Sequence, residues 1–108
     1  MATTYKVLGQ SNPAATTLTT LYTVPAATSS VVSTLSACNL GVSTTIRVAV
    51  RLAAASIENK QYIVYDATLN QYDTLYLTLG VTLATTDVVS VYAGTATVAF
   101  NLYGSEIT

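Results

Sequence analysis

Large apolar side chains occupy every second position through one stretch in the middle of the chain, Thr45-Ile46-Arg47-Val48-Ala49-Val50-Arg51-Leu52-Ala53. Successive side chains of a β-strand point to opposite faces of its sheet, so this stretch is predicted to be a strand whose larger apolar side chains enter a core. Three further segments repeat the alternation: Leu75-Tyr76-Leu77-Thr78-Leu79, Val89-Ser90-Val91-Tyr92-Ala93 and Val98-Ala99-Phe100-Asn101-Leu102. Each is predicted to bury one row of side chains, with Thr97 in the opposite row of the last strand.

Weaker strand patterns, with apolar residues on both parities, lie in residues 4–8, 18–24, 30–38 and 61–66. Proline, glycine and asparagine residues that favour turns separate the segments at intervals of roughly 8–12 residues, which is typical of sandwiches and barrels. We predict an all-β fold: a single antiparallel β-sandwich domain of about eight strands over residues 1–108, either Ig-like or jelly-roll-like. Residues 53–58 are predicted to form a loop rather than a helical turn.

The side chains available for chemistry are few. The chain has no histidine and one cysteine, Cys38, so Ser-His-Asp triads, disulfides and cysteine-rich zinc sites are excluded. Asp66 and Asp73 could act as a pair of carboxylates that cleaves glycosides, but they come together only if residues 67–72 connect a hairpin. Acids at strand ends more often accept hydrogen bonds from turn amides. We therefore expect a protein that is not an enzyme and needs no metal or other cofactor.

Charge also limits the partners. Four basic residues are too few to neutralise a row of phosphates, so we expect no nucleic acid partner. The chain has no apolar stretch of ~20 residues, and its beginning lacks the basic and apolar segments of a signal peptide. We expect no membrane association, and synthesis in a host cytoplasm.

The predicted surface is unusually poor in charge. Charged residues make up 8% of the chain and the net charge is −1, whereas soluble domains typically carry ~25% charged residues. A neutral surface favours association, and open sheet edges normally need charges to deter pairing. We therefore predict that much of the surface packs against other copies or against a larger lattice.

Six residues are the candidates for such an interface: Tyr62, Tyr65, Tyr72, Tyr76, Arg47 and Arg51. The tyrosines occupy the two strands of the predicted hairpin, where they suit a protein interface or, as an alternative, contact with a glycan. Because Tyr62 and Tyr65 have opposite parity, at least one tyrosine is expected in the core. The arginines share one strand face, where they would pair with carboxylates of a neighbouring subunit, bind an anionic group or face solvent.

Several segments resemble small β-sandwich virion proteins of tailed bacteriophages, especially phages of marine and freshwater cyanobacteria. The resemblance extends over most of the chain, from about Val7 to Thr108. It is carried by Val7-Leu8-Gly9-Gln10-Ser11-Asn12-Pro13, Leu21-Tyr22-Thr23-Val24-Pro25-Ala26-Ala27-Thr28, Val31-Val32-Ser33-Thr34-Leu35, Thr86-Asp87-Val88-Val89-Ser90-Val91-Tyr92 and Phe100-Asn101-Leu102-Tyr103-Gly104-Ser105-Glu106-Ile107-Thr108.

This resemblance implies a structural protein of the virion. The expected role is that of a capsid decoration, or cement, protein that binds other virion proteins such as the major capsid protein. It would assemble as a homo-oligomer, for which a trimer is the first expectation because capsid lattices offer threefold sites. The alternative is a tail or tail-fibre module that binds host surface glycan.

Overall fold

The computed structural model describes residues 2–108, apart from the side chain of Leu79. Eight strands and two short 3-10 turns make up this part of the chain. The 3-10 turns are Leu52–Ala54 and Asn59–Gln61. The strands are β1 Thr3–Ser11, β2 Thr19–Thr23, β3 Ser29–Asn39, β4 Thr44–Arg51, β5 Tyr62–Leu69, β6 Thr74–Leu83, β7 Val88–Ala93 and β8 Val98–Ile107. None of the helical turns in this part of the chain is long and apolar enough to cross a membrane.

The strands form two four-stranded sheets with antiparallel neighbours. Sheet 1 has the order β1-β8-β3-β6 and sheet 2 the order β2-β7-β4-β5. The first strand pairs with the eighth, the second with the seventh, the third with the sixth and the fourth with the fifth. A long antiparallel ribbon rolled up in this way is a jelly roll. The predicted antiparallel sandwich is therefore confirmed, and its topology is the jelly-roll-like one of the two alternatives.

The core lies between the two sheets and contains most residues of the predicted rows. In β8 the side chains of Val98, Phe100 and Leu102 are fully buried, and in β4 so are those of Ile46 and Val48. The inner row of β6 is only partly buried where its residues are described, and Leu79, predicted in that row, lies outside the described side chains. The alternation thus predicted the inward faces of β4, β7 and β8, with one exception: Leu52, expected in the inward row of β4, is 68% exposed because the strand ends at Arg51 and Leu52 begins the following 3-10 turn.

Thr97 is not the free surface residue that its parity suggests. It precedes β8, and its hydroxyl donates a hydrogen bond of 2.9 Å to Oδ1 of Asn39. The amide nitrogen of Asn39, which is 1% exposed, donates to the main-chain carbonyls of Val42 and Leu69. One buried amide therefore joins the connections β3–β4, β5–β6 and β7–β8 at one end of the sandwich.

The predicted hairpin between β5 and β6 does not form. These consecutive strands lie in different sheets, because β5 pairs with β4 and β6 pairs with β3. The residues that connect them cross from one sheet to the other, as jelly-roll topology requires. Side chains expected on one hairpin surface are therefore distributed over two sides of the molecule.

The segment after β4 is an exposed loop, as predicted for residues 53–58, although a 3-10 turn occupies its beginning. Ala53 and Ala54 have φ angles of 51° and 57°, a left-handed conformation that is unfavourable for alanine. The main-chain N–H of Ala53 donates to Oδ1 of Asp87, and the N–H of Ala84 donates to Oδ2. The carboxylate of Asp87, which is 6% exposed, thus fixes the loop to the β6–β7 turn.

Candidate functional site: two outer sheet faces

Among the described residues, the outer face of sheet 1 carries no charged side chain. The strand register aligns its outward residues into three rows that each cross all four strands. We call these residues the neutral face: Tyr5, Ser105, Val31 and Thr82; Val7, Tyr103, Thr34 and Thr78; and Gln10, Asn101, Ser36 and Tyr76. All twelve are apolar, aromatic, hydroxyl or amide residues.

Large apolar and aromatic side chains protrude from the neutral face. Tyr5 is 85% exposed, Tyr76 70% and Val7 46%, and Tyr103 lies near the middle of the face at 37%. A groove of about 470 Å³ runs beside Tyr103; it is lined by Tyr5, Lys6, Val31, Ser33, Tyr103, Gly104 and Ser105. The twelve residues of the neutral face therefore form an uneven surface of rings and hydroxyl groups around a shallow groove, whose lining also includes Lys6, the ion-pair partner of Glu106.

The two charged residues of the sheet 1 strands belong to inner rows. Lys6 and Glu106 alternate with the residues of the neutral face, and Nζ of Lys6 lies 3.2 Å from Oε1 of Glu106. The buried hydroxyl of Tyr22, in sheet 2, donates to Oε2 of Glu106 at 2.6 Å and lies 2.7 Å from Oγ of Ser30. This network links the two sheets, and the position of Glu106 in an inner row places its carboxylate on the side opposite the neutral face.

The network shifts the ionisation of its members. The hydrogen bond from Tyr22 holds the pKa of Glu106 below its usual value of 4.5, and Lys6 contributes a smaller lowering. Burial and the adjacent Glu106 raise the pKa of Tyr22 from 10.0 to about 12. Both shifts are in the direction expected when a neutral phenol donates a hydrogen bond to a charged carboxylate.

The outer face of sheet 2 is organised around Arg47. Its guanidinium makes a two-pronged ion pair with Asp66, with Nε 2.6 Å from Oδ1 and Nη2 3.2 Å from Oδ2. The same guanidinium lies 4.4 Å from the ring centroids of both Tyr65 and Tyr92. The ring of Tyr62 meets that of Tyr65 edge to face, with 4.9 Å between centroids and an interplanar angle of 79°. We call these five residues the arginine cluster.

A β-bulge makes the arginine cluster possible. Between Val64 and Ala67, β5 has one more residue than β4, so Tyr65 and Asp66 both lie opposite Arg47. Asp66 adopts a left-handed conformation with φ of 50°. The ion pair lowers the pKa of Asp66 and raises that of Arg47, in each case mainly through their hydrogen bonds.

The predicted interface residues are divided between the two sides. Arg47, Tyr62 and Tyr65 belong to the arginine cluster, whereas Tyr76 lies on the neutral face and Tyr72 in the β5–β6 turn. None of the four predicted tyrosines is buried, so the expectation that one would lie in the core is wrong. The buried tyrosine is instead Tyr22, which sequence reasoning missed because the bulge between Thr20 and Tyr22 breaks the strand parity.

The two arginines differ from each other. Arg47 has its carboxylate partner within the chain, which removes the need for one on a neighbouring subunit. Arg51, at the end of β4, is half-buried, and within residues 2–108 its Nε atom has no hydrogen-bond partner. The shared strand face therefore does not give the two residues a shared role.

Asp66 and Asp73 are held in separate places. Asp66 is bound to Arg47, whereas Oδ1 of Asp73 accepts a hydrogen bond from the main-chain N–H of Thr74 beside the β5–β6 turn. Within the described residues, no group of three or more Cys, Asp and Glu side chains is placed to hold a metal ion. Both carboxylates therefore have structural partners in the fold.

No protein-family model matches the chain, and no curated protein or solved structure is significantly similar to it. The similarity to phage virion proteins stays a prediction from the sequence. The two outer sheet faces are therefore the features from which a function can be inferred.

Proposed function

We propose that the protein is a non-enzymatic structural subunit of a bacteriophage particle, a decoration protein that assembles with copies of itself on the capsid. The observation that carries this proposal is the neutral face. A sheet face without ions loses little hydration energy when a partner covers it. Tyrosine and valine side chains add apolar area and lose little conformational freedom. Such a face is suited to permanent burial in an assembly.

The jelly-roll topology supports the proposal at the level of analogy. Viral capsid domains use this architecture, and so do lectins and cupins. Since one fold serves many functions, the topology alone does not distinguish between them. Large side chains of the neutral face, among them Tyr5 and Tyr76, are exposed, and clustered exposed apolar groups often mark interaction sites.

The glycan-binding alternative has a weaker basis. Asn59, Tyr62 and Tyr65 line a pocket of about 420 Å³, and aromatic rings can stack on sugars. However, the guanidinium of Arg47 already lies against the Tyr65 ring, and Tyr62 packs against the same ring. These contacts leave no flat platform of two free rings. The capsid role is therefore the better supported of the two.

The test is electron cryo-microscopy of purified phage particles whose genome encodes the chain, combined with mass spectrometry of the same particles. We expect jelly-roll density of this size at regular positions on the outside of the capsid. Density confined to the tail would overturn the decoration role in favour of the tail alternative. If the particles lack the chain altogether, the proposal fails.

A further inference from the structure

We propose that the neutral face packs against the neutral face of a second copy, so that the chain forms a dimer with twofold symmetry. This inference rests on the proposed function in that both require assembly, but it specifies the partner of the neutral face. The juxtaposition that carries it is the alignment of Tyr5, Val7, Tyr103 and Tyr76 with hydroxyl and amide residues in three uncharged rows.

Charge favours a second copy over other protein partners. In a contact between two identical faces every charge is present twice, and like charges that come close together weaken the contact. The twelve residues of the neutral face carry no charge, so this repulsion does not arise. A typical protein surface, by contrast, would place its charged residues against a face that offers no ion to pair with them, and burying unpaired ions is costly. A second copy is the occupant that leaves no ion unpaired.

Hydrogen bonding favours the same partner. The polar side chains of the neutral face are hydroxyls and amides, such as Thr34, Thr78, Gln10 and Asn101. A hydroxyl can both donate and accept a hydrogen bond, and an amide carries one donor group and one acceptor group. Two identical faces can therefore satisfy each other's polar groups, which a face of donors alone could not do.

The area of the neutral face is close to that of a stable contact. Four strands about 4.8 Å apart and about eight residues long at roughly 3.3 Å per residue give a projected area on the order of 500 Å². The protruding rings of Tyr5 and Tyr76 and the groove beside Tyr103 raise the accessible area above the projected area. The face thus approaches the ~800 Å² per partner that is usual in stable complexes.

Symmetry sets the number of copies. A face that matches itself makes an isologous contact, which closes with two subunits. The trimer expected from capsid lattices would need two different patches that match each other in a ring. The neutral face is a single patch, so the geometry points to a dimer as the unit that then binds the particle.

The experiment is sedimentation equilibrium of the full chain over a range of concentrations, with two matched variants. Thr78 and Thr68 are both exposed threonines on edge strands, but Thr78 lies on the neutral face and Thr68 on sheet 2. We expect the unmodified chain to sediment at twice its 11.3 kDa mass. Thr78→Glu places two like charges in the contact and should raise the dimer dissociation constant about 100-fold or more. Thr68→Glu should leave the constant unchanged.

Two further measurements make the test decisive. Circular dichroism checks that each variant is folded; if Thr78→Glu is not, Tyr76→Glu replaces it on the same face. The dissociation constant of the unmodified dimer should be insensitive to salt, because the contact contains no ion pairs. A monomer or a trimer at high concentration, or a folded Thr78→Glu that still dimerises, overturns the inference.

The dimer and the proposed function fail separately. A monomer that binds emptied capsids through the neutral face would overturn the dimer while preserving the decoration role. A dimer that is absent from purified particles would preserve the dimer and overturn the decoration role.

Discussion

The outer faces of the two sheets differ in their charge and in the exposure of their side chains. Sheet 2 carries charged residues there and satisfies one pair within the chain, through Arg47 and Asp66. The Leu52–Ala54 turn also contacts β7, and the outward Ser90 of that strand is 1% exposed. The neutral face has no charges to satisfy and leaves Tyr5 85% exposed. Arg47 and Asp66 thus satisfy each other within the chain, whereas the exposed side chains of the neutral face are the ones that the proposed dimer would cover.

The largest change in the free energy of unfolding is expected for a substitution in β8, whose side chains alternate between the core and the neutral face. Phe100 is fully buried and Tyr103 is 37% exposed on the opposite side of β8. Phe100→Ala should lower the free energy of unfolding by ~3–5 kcal/mol. Tyr103→Ala should lower it by less than about 1 kcal/mol. Denaturant unfolding at a concentration where the chain is monomeric measures both, since dimerisation itself adds apparent stability.

Equal losses in the two variants would mean that the neutral face is as buried as the core within a single chain. The neutral face would then not be a surface that is open to a partner. Thr97→Ala is unsuitable as the surface control, because its hydroxyl is bonded to the buried Asn39.

The sequence predicted the fold class and, apart from Leu52, the inner rows of β4, β7 and β8, because hydrophobic alternation is a local property. It failed where pairing depends on distant residues. The assignment of β5 and β6 to different sheets follows from their partners β4 and β3, which no local pattern specifies. Bulges at Leu8, Leu21 and Ser33 shift the parity of β1, β2 and β3, so their inward residues could not be predicted.

The same limit applies to the candidate site. The paucity of charge predicted that some surface is covered, but not which one. Val7, Thr34, Thr78 and Tyr103 form one row only because β1, β3, β6 and β8 are neighbours in sheet 1. An ion pair with a neighbouring subunit is one of three roles that the sequence suggests for Arg47, whereas the partner within the chain, Asp66, depends on the bulge in β5.

A smaller loss of stability should come from disrupting the network of Tyr22, Glu106 and Lys6 on the inner side of sheet 1. Glu106→Gln removes the charged acceptor of Tyr22 and should cost ~1–3 kcal/mol at neutral pH. Because the pKa of Glu106 is lower in the folded chain, its contribution is present above pH 4.5 and is lost as the pH falls through the lowered value. Urea unfolding between pH 2 and 7 should therefore show a weaker loss of stability with acid in Glu106→Gln.

At alkaline pH the same network should lose stability as the pH rises rather than as it falls. The pKa of Tyr22 is raised from 10.0 to about 12, so its contribution is present below pH 10 and is lost as the pH rises toward 12. Tyr22→Phe should remove this part of the alkaline loss, although other tyrosines keep titrating. An unchanged acid profile in Glu106→Gln would indicate that the carboxylate is not held by the network.

The smallest effect is expected in the arginine cluster, which is exposed to solvent. Arg47→Lys keeps the charge but loses the two-pronged contact with Asp66 and the planar stacking on Tyr65 and Tyr92. We expect a fall in thermal midpoint several-fold smaller than that of Phe100→Ala, and a smaller difference between low and high salt than in the unmodified chain. The dimer dissociation constant should not change, because the residues of the cluster bind one another rather than a second copy. If Arg47→Lys instead dissociates the dimer while its thermal midpoint stays the same, sheet 2 is the associating face and the comparison must be reversed.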